Sequence, residues 1–206
     1  YYKNLWFKKI EEKIIESENV SDFNMAVRKL NETLNNNTLD QEKCFYILRV
    51  LEKLVPVMKE KFHSPEAKRI LYVLFDIGVT ACCHIGDSKG AEKYFEKCKQ
   101  YAGLVSLDDY LSTRNKLVVS YCDYFEVARA EKLSDENMRF QERLTGFKKE
   151  LELPGVGDNG FEAMGKAHSQ RGQVYAFKRD RRAEVEFRAA LVHFEEASAN
   201  YKMTQS

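Results

Sequence analysis

Residues 64–87 read SPEAKRILYVLFDIGVTACCHIGD, and the rest of the chain has to be arranged around them. Ser64 is a helix cap, Pro65 suits the first helical turn, and Glu66 sits where the helix dipole favours an acid. Beyond them the helix is apolar on almost every side, with Ile70, Leu71, Val73, Leu74, Phe75, Ile77, Val79 and Ala81. A helix of that kind is buried on several faces, so it belongs at the centre of an all-α fold. Gly86-Asp87 closes it with a tight turn.

Helical periodicity continues in both directions. Residues 3–17 carry Leu5, Trp6, Ile10, Ile14 and Ile15 at three- and four-residue steps. Ser21-Asp22 reads as the cap of a second helix, which the Asn35-Asn36-Asn37 cluster ends. A third helix starts after Thr38 and carries Cys44, Ile47, Leu51 and Leu54, with a kink or break predicted at Pro56. Downstream, residues 89–102 form an amphipathic helix, 107–132 a long aromatic-rich one, and Ser134-Asp135-Glu136 starts the next. The strongest breaker is 153–160, Leu153-Pro154-Gly155-Val156-Gly157-Asp158-Asn159-Gly160. Helices over 161–178 and 181–203 follow, joined by Arg179-Asp180-Arg181. No segment alternates at period two, so the expectation is about nine antiparallel helices and no sheet.

Composition narrows the function classes. The chain has 206 residues, of which 44% are hydrophobic, enough for a real core. Thirty-three basic against 32 acidic residues leave a net charge of +1, unlike a protein that coats nucleic acid. Three prolines and 10 glycines are too few for a β-sandwich or a dinucleotide-binding α/β fold. No run of 18 apolar residues predicts a membrane span, so no membrane partner is expected. The start, Tyr1-Tyr2-Lys3-Asn4-Leu5-Trp6, is not a signal peptide. Five cysteines, odd in number and without a C-x-x-C pair, lie inside helical patterns and read as buried, reduced thiols. Both features favour the cytoplasm. The chain lacks an initiator Met and its C-terminus still reads as helix, so it is expected to be a piece of a longer protein.

Two stretches share one logic. In the first, Gly78 stands mid-helix and Gly86-Asp87 is followed by Ala91, Phe95 and Cys98; in the second, Gly172 and Tyr175 are followed by Asp180, Ala183, Phe187 and Ala190. A small residue in the first helix lets the second come close, and an aromatic fills the groove beside it. This pattern resembles the tetratricopeptide repeat, best over 161–194, next over 71–100, and loosely over 115–150 with Cys122 and Phe125 in the small and Tyr positions. The small positions lie 44 and 50 residues apart instead of the family's 34, and the terminal prolines are missing. The resemblance implies antiparallel helix pairs stacked as a short right-handed α-solenoid over 63–206, interrupted at 153–160. Residues 1–62 would form a capping or extra helical segment. The alternative is a plain helical bundle.

Such arrays are binding scaffolds with a concave groove lined by the first helix of each pair. The resemblance places Lys166, Ser169, Gln173 and Phe177 in that groove, with Lys116 and Asp123 further along and Tyr72 and Phe75 in its apolar part. The apolar positions either take an amphipathic helix or lie buried under residues 1–62. The implied function is a protein or peptide interaction module within a larger regulatory or scaffold protein. It needs no cofactor, metal or catalytic residue.

Other clusters carry less. Cys82-Cys83-His84 are consecutive on a helix and point about 100° apart, which suits packing and not metal ligation. The G-x-G-x-x-G of 155–160 follows a helix, so it is a linker and not a dinucleotide loop. His168 and His193 lie on adjacent predicted helices and are able to approach each other. The basic turn Lys178, Arg179, Arg181 and Arg182 suits a phosphate or an acidic partner, and leaves nucleic-acid binding as an alternative. An all-helical enzyme with a spatially assembled site is the other alternative.

Overall fold

A computed structural model describes residues 19–35, 41–150 and 157–204, with isolated positions 9, 12 and 16. Apart from those three positions, the helix expected over 3–17 lies outside the described residues, as does the 153–156 part of the predicted break, while its 157–160 part is helix and not loop. Eight α-helices are present and no strand is found among the described residues. They are α1 (Val20–Asn35), α2 (Gln41–Lys61), α3 (Pro65–Ile85), α4 (Ser88–Lys99), α5 (Leu107–Asp123), α6 (Val127–Glu150), α7 (Gly157–Phe177) and α8 (Arg182–Thr204). A 3-10 turn, Ala102–Leu104, follows α4. The chain divides into two compact units, Tyr1–Lys116 and Leu117–Ser206.

The first unit is organised by α3. Its cap is as expected, with Ser64 Oγ accepting from the Ala67 N–H at 3.1 Å and Pro65 at the first position. Gly86 ends it at φ 81°, a left-handed geometry that suits glycine. Helices α1, α2 and α4 all pack against α3. Phe75, Ile77, Val79 and Ala81 are accordingly interior, along with Phe23, Leu30, Leu51 and Leu54 from α1 and α2.

Four boundaries in this stretch differ from expectation. The α1 cap is Asn19, whose Oδ1 accepts from the Asp22 N–H at 2.9 Å, so Ser21 and Asp22 lie in the first turn. Helix α2 runs unbroken through Pro56. The buried Leu51, Leu54 and Met58 anchor both sides of the proline, and their burial outweighs the roughly 3 kcal/mol that an interior proline costs. The expected helix over 107–132 is divided at Tyr124–Glu126. Phe125 adopts φ 61° and is 82% exposed, while its N–H donates to the Cys122 carbonyl and that of Glu126 to the Tyr121 carbonyl. These bonds close α5 in the way a glycine usually does. Phe125 is therefore a turn residue and cannot be the mid-helix aromatic of a third repeat. Ser134, expected to start a helix, is buried within α6.

In the second unit, α7 packs against both α6 and α8. Met138 of α6 meets Met164 and Ala167 of α7. Across the α7–α8 seam, a Cβ on Gly172 would lie 2.8 Å from the Phe187 ring, and one on Gly165 would lie 2.8 Å from the Phe194 ring. Two glycines and two rings, each pair two turns apart, thus set one antiparallel register. In the first unit the ring against Gly78 belongs to Tyr94 and not to Phe95. Phe95 is buried and stacks on Tyr110 at 5.8 Å.

Candidate functional site

The groove positions expected from the sequence fall into two groups. Tyr72 and Phe75 are interior, with Phe75 1% exposed, and are closed to any ligand. Packing by neighbouring helices has used the apolar surface that the resemblance assigned to a groove. The Tyr72 hydroxyl donates to Thr113 Oγ1 at 2.8 Å, Thr113 donates to Asp76 Oδ1 at 2.8 Å, and Lys116 Nζ donates to both Asp76 oxygens at 2.7 Å. Lys116 thus ties α5 to α3 instead of reaching for a partner. Burial pushes the Tyr72 phenol well above its ordinary range, so it stays a protonated donor. Asp123, at the end of α5, is exposed.

The α7 positions behave differently. Lys166, Ser169, Gln173 and Phe177 follow one another at three- and four-residue steps, so they share one side of the helix. Lys166, Gln173 and Phe177 are exposed and Ser169 is half-buried. The sides facing α6 and α8 carry Met164, Ala167, Gly165 and Gly172. Lys166 pairs with Glu162, one turn back on the same side, and both are exposed.

The basic turn is partly neutralised from within. Lys178 Nζ lies 2.7 Å from Glu131 of α6. Arg182 pairs with Asp180 at 2.7 Å and sits 4.2 Å over the Tyr175 ring. Hydrogen bonds from Arg182 hold the Asp180 carboxyl down at about 2. Arg179, at φ 54°, and Arg181 are the two exposed cations of this turn that form no ion pair among the described residues.

Of the polar centre of the α7–α8 seam, only the approach of His168 to His193 was expected, and its carboxylate was not. Glu186, buried on α8, accepts from Arg171 Nη2 at 2.6 Å and from His168 Nδ1 at 2.7 Å. His168 and His193 do meet, with ring centroids 5.3 Å apart and planes within 15°. Burial opposes the Glu186 charge, but the bonds from Arg171 and His168 outweigh it and hold the carboxyl below its ordinary 4.5. A depressed carboxyl contributes stability that is complete above its unfolded value and is lost as pH falls through the folded one. Acid unfolding is therefore expected to begin as pH drops below 4.5, and Glu186→Gln is expected to flatten that dependence. Urea midpoints measured down the pH scale check this; equal slopes for both proteins would refute it.

Burial holds three of the cysteines, Cys82, Cys98 and Cys122, away from the thiolate form. All five are free thiols, and all but Cys83 are buried. Burial pushes Cys82 up to about 12 and Cys122 up to about 11, away from the reactive thiolate. Among the described residues no group of three His, Cys, Asp or Glu side chains is placed to hold a metal ion. No described helix is long and apolar enough to cross a membrane. No family model matches the chain, and no curated protein or solved structure matches it.

Proposed function

We propose that the chain is a protein-interaction module that takes a peptide or a partner helix against the outward side of α7. The observation that carries this reading is the alignment of Lys166, Ser169, Gln173 and Phe177, with Phe177 47% exposed. An open aromatic ring beside an amide and an ammonium supplies apolar area together with directional hydrogen bonds, the usual ingredients of a binding hot spot. Arg179 and Arg181, just past Phe177, add affinity for an acidic segment of the partner. The tetratricopeptide resemblance supports the same reading, because these four positions are its groove positions in the best-matching unit. On this view the helix pairs stack as a solenoid within a larger regulatory or scaffold protein.

The test is capture from host lysate with the immobilised chain beside a Lys166→Glu, Gln173→Glu double variant. A partner retained by the parent and lost by the variant is expected. Captured proteins that hold equally to both would overturn the assignment to α7.

A further inference from the structure

We propose that α8 pairs with α8 of a second copy of this chain, antiparallel, through the side of the helix that faces away from α7. Helix α8 buries one stripe: Glu186 and Ala190 fully, with Ala183, His193 and Ala197 half-buried. On the far side, Val185, Arg188, Val192, Glu195 and Ala199 follow at alternating three- and four-residue steps, and all five are exposed. Val185 is 66% and Val192 52% exposed, high values for β-branched apolar side chains. This spacing is the seam of a two-stranded coiled coil.

The charges on the seam select the occupant. Its two polar members, Arg188 and Glu195, have opposite sign and flank Val192 on either side by about one turn. In an antiparallel pair whose two-fold axis passes between Leu191 and Val192, Arg188 of each copy lies level with Glu195 of the other, and the two Val192 side chains lie within one residue's rise of each other. Two-fold symmetry makes that ion pair twice. A parallel pair would set Arg188 against Arg188 and Glu195 against Glu195, so like charges reject it. Arg188 now rests on Glu184 at 2.6 Å, but with side chains 78% and 70% exposed that pair holds it weakly. The seam does not include the outward side of α7, so this inference stands apart from the function proposed above.

Sedimentation of the full chain over a concentration series tests it. A reversible dimer is expected. Arg188→Glu and Glu195→Arg each place like charges across the seam and are expected to raise the dissociation constant about tenfold or more. The double variant, Arg188→Glu with Glu195→Arg, is expected to restore dimerisation. Circular dichroism should be unchanged in all three, because both positions are exposed. A monomer at every concentration overturns the proposal. So does a dimer indifferent to the single variants, or a double variant no better than the singles.

Discussion

Phe75→Ala is expected to cost about 3–5 kcal/mol, the range for removing a large buried aromatic side chain. The ring is 1% exposed and stacks on Tyr101 at 5.9 Å, with Tyr94 at 6.5 Å. Its removal leaves a cavity between α3, α4 and the 3-10 turn that the surrounding helices are unable to close fully. Two cations also depend on it, since Lys97 and Lys59 lie 5.5 and 5.9 Å from its centroid. Burial already disfavours the Lys97 charge, ahead of repulsion from Lys93 and Lys59, and the ring face offsets part of that cost. Urea denaturation of the whole chain gives the number. A loss under ~1 kcal/mol would return Phe75 to the surface and revive an apolar groove along α3.

Why some of this was legible follows from the kind of signal each residue gives. Ser64, Pro65 and Gly86 announce their roles because cap chemistry is local, and the apolar run of α3 announces burial because almost every side of it is apolar. The turn at Phe125 gives no such notice. A left-handed aromatic residue is uncommon, and no glycine or proline marks the place. Tyr94 and Phe95 show a different limit. Both are aromatic and adjacent, and one residue on a helix is about 100°, so only the packed structure tells which ring meets Gly78. Asp76 did carry a readable signal. A lone carboxylate within an apolar helix requires a partner, which Thr113 and Lys116 supply. Glu186 carried none, because α8 bears Glu184, Glu186, Glu195 and Glu196, and only packing distinguishes the buried one. That Lys166, Ser169, Gln173 and Phe177 share one side of α7 was legible because their spacing needs only the helix to form.

Gly172→Leu is expected to cost about 1–3 kcal/mol through overpacking. Its first side-chain carbon would already lie 2.8 Å from Phe187 Cδ1 and Cε1 and 3.1 Å from Cζ, before the branched end of leucine is added. Something must move, and Phe187 is 41% exposed, so the ring is free to swing outward at the expense of its own burial. That exposure also lowers the value of the ring. Phe187→Ala alone is expected to cost only about 1–2 kcal/mol, less than the figure for a fully buried phenylalanine. The decisive form is the double variant. Gly172→Leu with Phe187→Ala exchanges the sizes across the seam, so its cost should fall well below the sum of the two single costs, the non-additivity of a direct contact. Additive costs would show that Gly172 and Phe187 do not share the space. The same variants bear on function, because Gly165 and Phe194 repeat the contact two turns away and together the pairs hold α7 against α8. Lys166, Gln173 and Phe177 face outward only while that seam stays closed. Gly172→Leu should therefore weaken partner capture in step with its loss of stability, and the size-swapped variant should regain both.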